Sequence, residues 1–297
     1  MSMPAVHMDI TSPGERIARS LIEDTSALVS PPDVCLKINE LVADDSTSLE
    51  QLALVVIRDP NLTARILKLA NSAYYGLPGR VDTITRAVML LGMGEIQKIV
   101  TAVCAVQTFS RLSSSVTNMN SFWRHGVYTG LVAQAIARRA RVLHPERLFV
   151  AGMLHDIGTL LINKRFPEIA QSVIIEAAGD EDRLHTLEQR DLGFDHALLA
   201  GMMLDSWHLP DTLVDTVYWH HEPQRAQRAG TEAAILKVAD AVANCSGTGS
   251  YSERIPREQV ADVSLLAAHG LAVDCTGEEL MDEVDPQFIE AIYLIVA

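Results

Sequence analysis

The chain has 297 residues, 48% of them hydrophobic, and a formal charge of −14 from 24 basic and 38 acidic residues. That is enough apolar material for an extensive core, yet no apolar run reaches the roughly eighteen residues of a membrane helix and no basic segment opens a secretory signal. The acidic balance repels a phosphate backbone and argues against direct binding to nucleic acid. Cys35, Cys104, Cys245 and Cys275 stand too far apart for a C-x-x-C zinc or redox motif, so the expectation is a cytoplasmic globular protein with reduced thiols.

Apolar residues recur at helical spacing almost throughout. Helices are expected near 14–28, 33–43, 48–57, 60–74, 83–91 and 93–110. The clearest pattern is "RDPNLTARILKLANSAYYGLPG": Asp59 caps the first turn, Pro60 suits the first helical position, and Leu62, Ile66, Leu69 and Ala73 form a stripe that Gly76 and Pro78 stop. The polar stretch "SRLSSSVTNMNS", residues 110–121, reads as a connection, with a boundary near residue 115. Beyond it, helices are expected near 121–141, 146–163, 166–178, 194–206, 210–221, 230–244, 256–268 and 286–295. No strand is convincing and no repeat has a fixed period, so the fold class is all-α, an irregular helical bundle. From Ala241 onward two basic residues, Arg254 and Arg257, face ten acidic ones, which reads as a solvated surface.

Chemistry concentrates around "AGMLHDIGTLLI", residues 151–162, where His155 and Asp156 interrupt apolar sequence. A buried carboxylate costs several kcal/mol unless a cation or several donors compensate it, so Asp156 needs a partner. Adjacent residues on one helix point about 100° apart, and both reach a single ion only if other ligands come from neighbouring helices. Candidates stand in suitable places: His125 in "SFWRHGVYTGLVAQAIARR", His196 opening "DHALLAGMMLDSW", His220 and His221 ending "PDTLVDTVYWHHE", and Asp240 within "AAILKVADAVAN". Imidazoles and carboxylates suit iron, manganese, zinc or nickel, as one ion or as two sharing a carboxylate. Each histidine has a plainer reading beside this one. His125 or His196 alone reads as a half-buried, hydrogen-bonded ring, and His220 and His221 as complements to a helix dipole. His7, His144, His185, His208 and His269 fall in caps, loops or polar turns and receive no role.

The order His125, His155-Asp156, Asp240 resembles the H...HD...D signature of the HD superfamily of metal-dependent phosphohydrolases. The preceding region, "SPPDVCLKINELVADDSTSLEQLALVVIRDPNLTARILKLANSAYYGLPGRVDTITRAVMLLGMGEIQKIV", closely resembles the N-terminal half of the HDOD family, the HD-related output domain of bacterial signalling proteins. "FDHALLAGMMLDSWHLPDTLVDTVYWHHEP" resembles its later segment, so the resemblance covers roughly residues 25–225. It implies an N-terminal helical lobe over 25–115 packed on an HD-like helical lobe over 116–245, flanked by an extension at 1–24 and an acidic helical extension at 246–297. It also implies a regulatory signal-transduction module that acts by binding protein or ligand, with signalling proteins as partners, a nucleotide or cyclic dinucleotide as the alternative ligand, and a homodimer left open. His196, His220 and His221 match the added histidines of the two-metal HD-GYP relatives. Thr159 stands where active HD phosphodiesterases carry a lysine, and no G-Y-P follows His221. The reading leans away from an enzyme, with a metal-dependent phosphohydrolase as the alternative.

Overall fold

Side-chain caps set where the first helices begin in the computed structural model, which describes residues 12–72, 75–77, 79–112, 114–246, 263–271 and 278–296. Helix α1 (Pro13–Val29) opens on a capping box, Ser12 Oγ accepting from the Glu15 amide while the Glu15 carboxylate accepts from Ser12 N–H. Helix α2 (Asp33–Ala43) follows Pro32, and α3 (Leu49–Ile57) repeats the box with Ser48 and Gln51. Helix α4 (Pro60–Ala70) starts as expected on Asp59, whose Oδ1 accepts from the Asn61 and Leu62 amides at 2.9 and 3.0 Å.

That helix ends before residue 74 because Asn71 turns outward to the chain at Val81. Its Nδ2 donates to Val81 O at 2.7 Å and its Oδ1 accepts from Val81 N–H at 2.8 Å, a two-way bond that replaces the next helical turn. Ala73 and Pro78, expected in the stripe and its stop, lie outside the described residues. Helices α5 (Ile84–Leu91) and α6 (Met93–Phe109) meet at Gly92, whose φ of +82° favours glycine, and the two axes bend by 115°.

After the polar connection, Asn118 caps α7 (Met119–Arg139). The single helix expected over 146–163 is two, α8 (Pro145–Leu154) and α9 (Ile157–Arg165), with His155 and Asp156 at the break between them. Helix α10 (Pro167–Ala177) precedes an element absent from the expected list, α11 (Glu181–Leu192), capped by Asp180 and ended by Gly193 at φ +79°. Then come α12 (His196–Ser206) and α13 (Asp211–Tyr218). The latter stops short of His220 and His221, which occupy the turn after it. Helix α14 (Gly230–Cys245) follows, then α15 (Ser264–Ala268), which covers only the end of the helix expected over 256–268, the earlier part lying outside the described residues. The last helix, α16 (Glu278–Ile295), begins well before residue 286.

Among the described residues there is no strand, and the all-α architecture stands. No single helix among them is long and apolar enough to cross a membrane. One continuous apolar cluster runs from Ala18 in α1 to Ile295 in α16, with a satellite of Val173, Ala177, Leu184 and Leu187 between α10 and α11. Helix α7 lies at its centre, packed on α8, α14 and α16. Glycines allow the closest crossing: a Cβ on Gly152 would sit 2.5 Å from Gly130 Cα, so α7 and α8 touch backbone to backbone. The acidic C-terminal segment is amphipathic rather than wholly solvated. It buries Leu280, Val284 and Phe288, and Tyr128 of α7 donates to Asp285 at 2.8 Å.

Candidate metal centre

Five segments deliver the seven candidate residues to one buried place. His125 comes from α7, His155 and Asp156 from the α8/α9 break, His196 from the first position of α12, His220 and His221 from the turn after α13, and Asp240 from the middle of α14. The break matters, because ending α8 at Leu154 frees both His155 and Asp156 from the one-helix geometry in which they diverge by about 100°. Gly158 brings α9 against α12: a Cβ there would lie 2.1 Å from His196 O.

The donor atoms converge around Asp156. Its Oδ2 lies 3.1 Å from His155 Nε2 and 3.5 Å from His125 Nε2, while its Oδ1 lies 3.4 Å from His196 Nε2. Asp240 Oδ1 sits 3.0 Å from His125 Nε2 and accepts from Asn244 Nδ2 at 3.0 Å. Three overlapping groups, His125 with His155 and Asp240, His155 with Asp156 and His220, and His196 with His220 and His221, each bring ligand atoms within 4.8 Å of one another.

The outer nitrogens fix the inner ones. His155 Nδ1 donates to Gly152 O at 2.8 Å and His220 Nδ1 to Val217 O at 2.7 Å; a carbonyl only accepts, so each Nδ1 carries the hydrogen and in its neutral form each ring aims a lone pair inward from Nε2. His196 is held by Glu188, whose Oε2 accepts from the His196 amide at 2.8 Å and faces its Nδ1 at 2.6 Å. His220 Nε2 is buried and has no hydrogen-bond partner. The Nε2 atoms of His196 and His221 face each other at 2.8 Å, a contact that a hydrogen on one ring closes as a hydrogen bond and that a cation bound by both rings would replace. An orphaned imidazole nitrogen beside two opposed ones is the donor chemistry of a metal site, and the residues present fit one or two ions.

The electrostatics divide the five rings into two groups. Burial alone would raise the carboxyl groups, but His155, His196 and His125 around Asp156, and His125 and His155 around Asp240, hold both well below the usual carboxylate range. Burial and the neighbouring rings of His221, His155 and His196 push His220 well down. His221 falls to about 4 through burial, which Asp182 opposes and His196 and His185 reinforce. Burial works against charging His196, yet Glu188 and Asp156 outweigh it and push it up to about 10. Against burial, the neighbouring carboxylates also raise His125 and His155, so without an ion the rings beside Asp156 and Asp240 are held toward the charged form while His220 and His221 stay neutral; a bound cation would take the place of those protons.

A cleft of about 360 Å³ opens onto His220, His221 and Asp240, and its rim includes Glu181, Asp182, Gln224 and Lys237. Several groups here come from α11, the helix the apolar pattern does not announce. Glu188 orients His196, and His185, assigned no role from sequence, stacks on His221 at 4.5 Å and pairs with Asp195 at 3.2 Å. Asp182 receives Lys237 Nζ at 2.8 Å. Burial, together with Asp240 and Asp156, pushes Glu181 up to about 8. The signal for this helix was Asp180 and Gly193, a cap at each end. Of the remaining histidines, His144 occupies the N-cap position of α8, His208 follows α12 at φ +55°, His269 follows α15, and His7 lies outside the described residues.

The HDOD domain family model matches residues 28–223. The chain belongs to the HDOD family. This HDOD chain is 23% identical over 217 residues to an uncharacterised protein of Treponema pallidum (strain Nichols), covering 72% of this chain and 42% of that one. It is 26% identical over 136 residues to the uncharacterised protein YuxH of Bacillus subtilis (strain 168), covering 46% and 32%. It thus spans less than half the length of the curated relatives it matches. Among solved structures, a candidate phosphohydrolase from Shewanella amazonensis SB2B superposes with a TM-score of 0.71 at 27% identity, over 94% of this chain and 98% of that one. An HDOD domain protein of unknown function from Geobacter sulfurreducens gives 0.73 at 23% identity, over 95% and 96%, and shares the helical fold.

Proposed function

We propose that this HDOD chain is a regulatory module of bacterial signal transduction, braced by one or two divalent ions, that acts by binding partner proteins rather than by turnover. One observation carries the metal: the orphaned, buried Nε2 of His220 beside the opposed nitrogens of His196 and His221. His125, His155, Asp156 and Asp240 would hold one ion and His196, His220 and His221, with Asp156, a second. Iron, manganese, zinc and nickel suit these donors. The regulatory role is supported by the cleft above them. Its rim carries Glu181 and Asp182, and among the described lining residues its Lys/Arg cation, Lys237, is already engaged by Asp182 and by His221 O at 2.9 Å. Thr159 is buried, so no cation stands at that position either. A phosphate entering this cleft meets carboxylates before it meets a free positive charge.

A second reading, a metal-dependent phosphohydrolase acting on a nucleotide or cyclic dinucleotide, is favoured by the placement of Asp156, which turns one oxygen toward each donor group. The Shewanella neighbour is itself named a phosphohydrolase. Ions at this place would lower the pKa of a water toward neutrality.

Elemental analysis of protein purified without chelator separates the readings when joined to a turnover assay. The expected result is stoichiometric metal in the native chain, its loss in Asp156→Ala, and no hydrolysis of bis-p-nitrophenyl phosphate or cyclic dinucleotides. Metal at a hundredfold excess over Kd should stabilise the fold by about 2.7 kcal/mol. Trace metal together with a melting temperature unmoved by manganese or iron would remove the metal, and hydrolysis that vanishes in Asp156→Ala would replace the regulatory reading with the enzymatic one.

A further inference from the structure

Beyond the seven residues already placed around the centre, α11 brings one more carboxylate to the same cleft. Glu181 is the first residue of that helix, partly buried, and lines the cavity shared by His220, His221 and Asp240. Among the described residues it takes part in no hydrogen bond and no ion pair.

Its neighbour fixes its place. Asp182 accepts from Lys237 Nζ at 2.8 Å and faces His221 Nδ1 at 3.6 Å, while Lys237 donates to His221 O at 2.9 Å. These contacts tie the first turn of α11 to α14 and to the turn that carries His220 and His221. Lys237, the Lys/Arg cation among the described cleft-lining residues, anchors Asp182, and the buried rings of His125 and His196 only partly offset burial and the charges of Asp240 and Asp156 at Glu181. A carboxylate that shares the cleft wall with Asp240 is disfavoured by like-charge repulsion, and a divalent cation between the two reverses the sign of that interaction.

We propose that Glu181 is a further ligand of the ion held beside His220 and His221, closing the centre from the cleft side. The inference rests on the metal reading given above and adds to it a reason for silence in catalysis. Metal sites that react keep one position open to water or substrate, whereas structural sites are filled by protein donors. A carboxylate from the cleft wall would take the place a substrate oxygen needs, so the ion braces α11, α12 and α14 without reaching solvent.

The test loads the full chain with cobalt(II) as the probe and follows its visible absorption in the native protein, Glu181→Gln, Glu181→Ala and Asp156→Ala. Glu181→Gln keeps size and shape and should melt, metal-free, close to the native chain. It should bind cobalt roughly tenfold or more weakly, with a changed band shape and intensity. In Glu181→Ala, added inorganic phosphate should shift the cobalt spectrum, whereas the native spectrum should not respond. If cobalt binds the native chain and not Asp156→Ala, but both Glu181 variants match the native affinity, spectrum and indifference to phosphate, the Glu181 inference is overturned while the metal centre stands. If the native chain takes up no more cobalt than Asp156→Ala, the metal reading fails and the Glu181 inference fails with it.

Discussion

The helices before the polar connection and those after it solve the burial problem with different chemistry. Among the described residues up to Leu112, Lys98 is the buried charged side chain; it pairs with Glu95 and lies 5.0 Å over the Phe149 ring. From α7 onward, five histidines and four carboxylates, Glu188, Asp195, Asp215 and Asp240 among them with Asp156 close to buried, sit in the interior. Apolar burial is favourable wherever it occurs, at about 25 cal/mol per Å², but each buried ionisable group costs free energy unless something compensates it. On the proposed reading, the first region stores stability and the second holds groups that a bound cation would compensate. Substitutions in the two should separate cleanly, moving stability in one and metal retention in the other.

The largest expected effect tests the first half of that statement. Phe109 is fully buried at the end of α6 and stacks on Trp207 at 5.4 Å, with Trp207 Nε1 donating to Val29 O at 2.9 Å. Phe109→Ala should cost about 3–5 kcal/mol in urea unfolding through lost burial and the cavity it leaves. Metal per folded chain should stay at the native level, and a proportional loss of metal would break the separation.

Gly158→Ala should cross the line between the regions. The added methyl would stand 2.1 Å from His196 O, so α9 and α12 must move apart. Overpacking of this kind costs about 1–3 kcal/mol, and here it displaces Asp156 relative to His196 as well. Urea midpoint and metal content should fall together. Glu188→Gln keeps the shape beside His196 but removes the carboxylate that faces its Nδ1. The expected loss is roughly 10- to 100-fold in metal affinity, read by competition with a chelator, against a small change in metal-free stability.

The same contrast explains what could be read from the sequence. Helix α4 was legible because its cap, its proline and its apolar stripe point to one answer. His155, Asp156 and Asp240 stood out as polar residues in apolar surroundings, as Asp240 is in "ILKVADAVA", and His125, His196, His220 and His221 by their places on neighbouring helices. Helix α11, "EDRLHTLEQRDL", was not legible. Only Leu184 and Leu187 mark its buried face, since Glu188 takes an inward position that a hydrophobic residue would otherwise hold. Glu188, His185 and Asp195 were hidden for the reason that makes them useful, being polar residues among polar residues. The break at His155 was equally silent, because "AGMLHDIGTLLI" is apolar on both sides and the interruption is one of backbone geometry, with Asp156 at ψ 5°.

The smallest expected effect is the sharpest control. Asp59 Oδ1 satisfies two amides at the start of α4, which have no partner inside the helix. Asp59→Ala should cost about 1 kcal/mol, visible as a shift in the urea midpoint with an unchanged slope. Because α4 packs chiefly on α3, α5, α6 and α16, none of which carries a candidate ligand, metal affinity should not move. If this modest capping change did weaken metal binding, the two regions would be coupled through the bundle, with the N-terminal helices setting the geometry of His125 through α6, α16 and α7. That coupling would itself be a route by which a partner bound on the first region could tune the second.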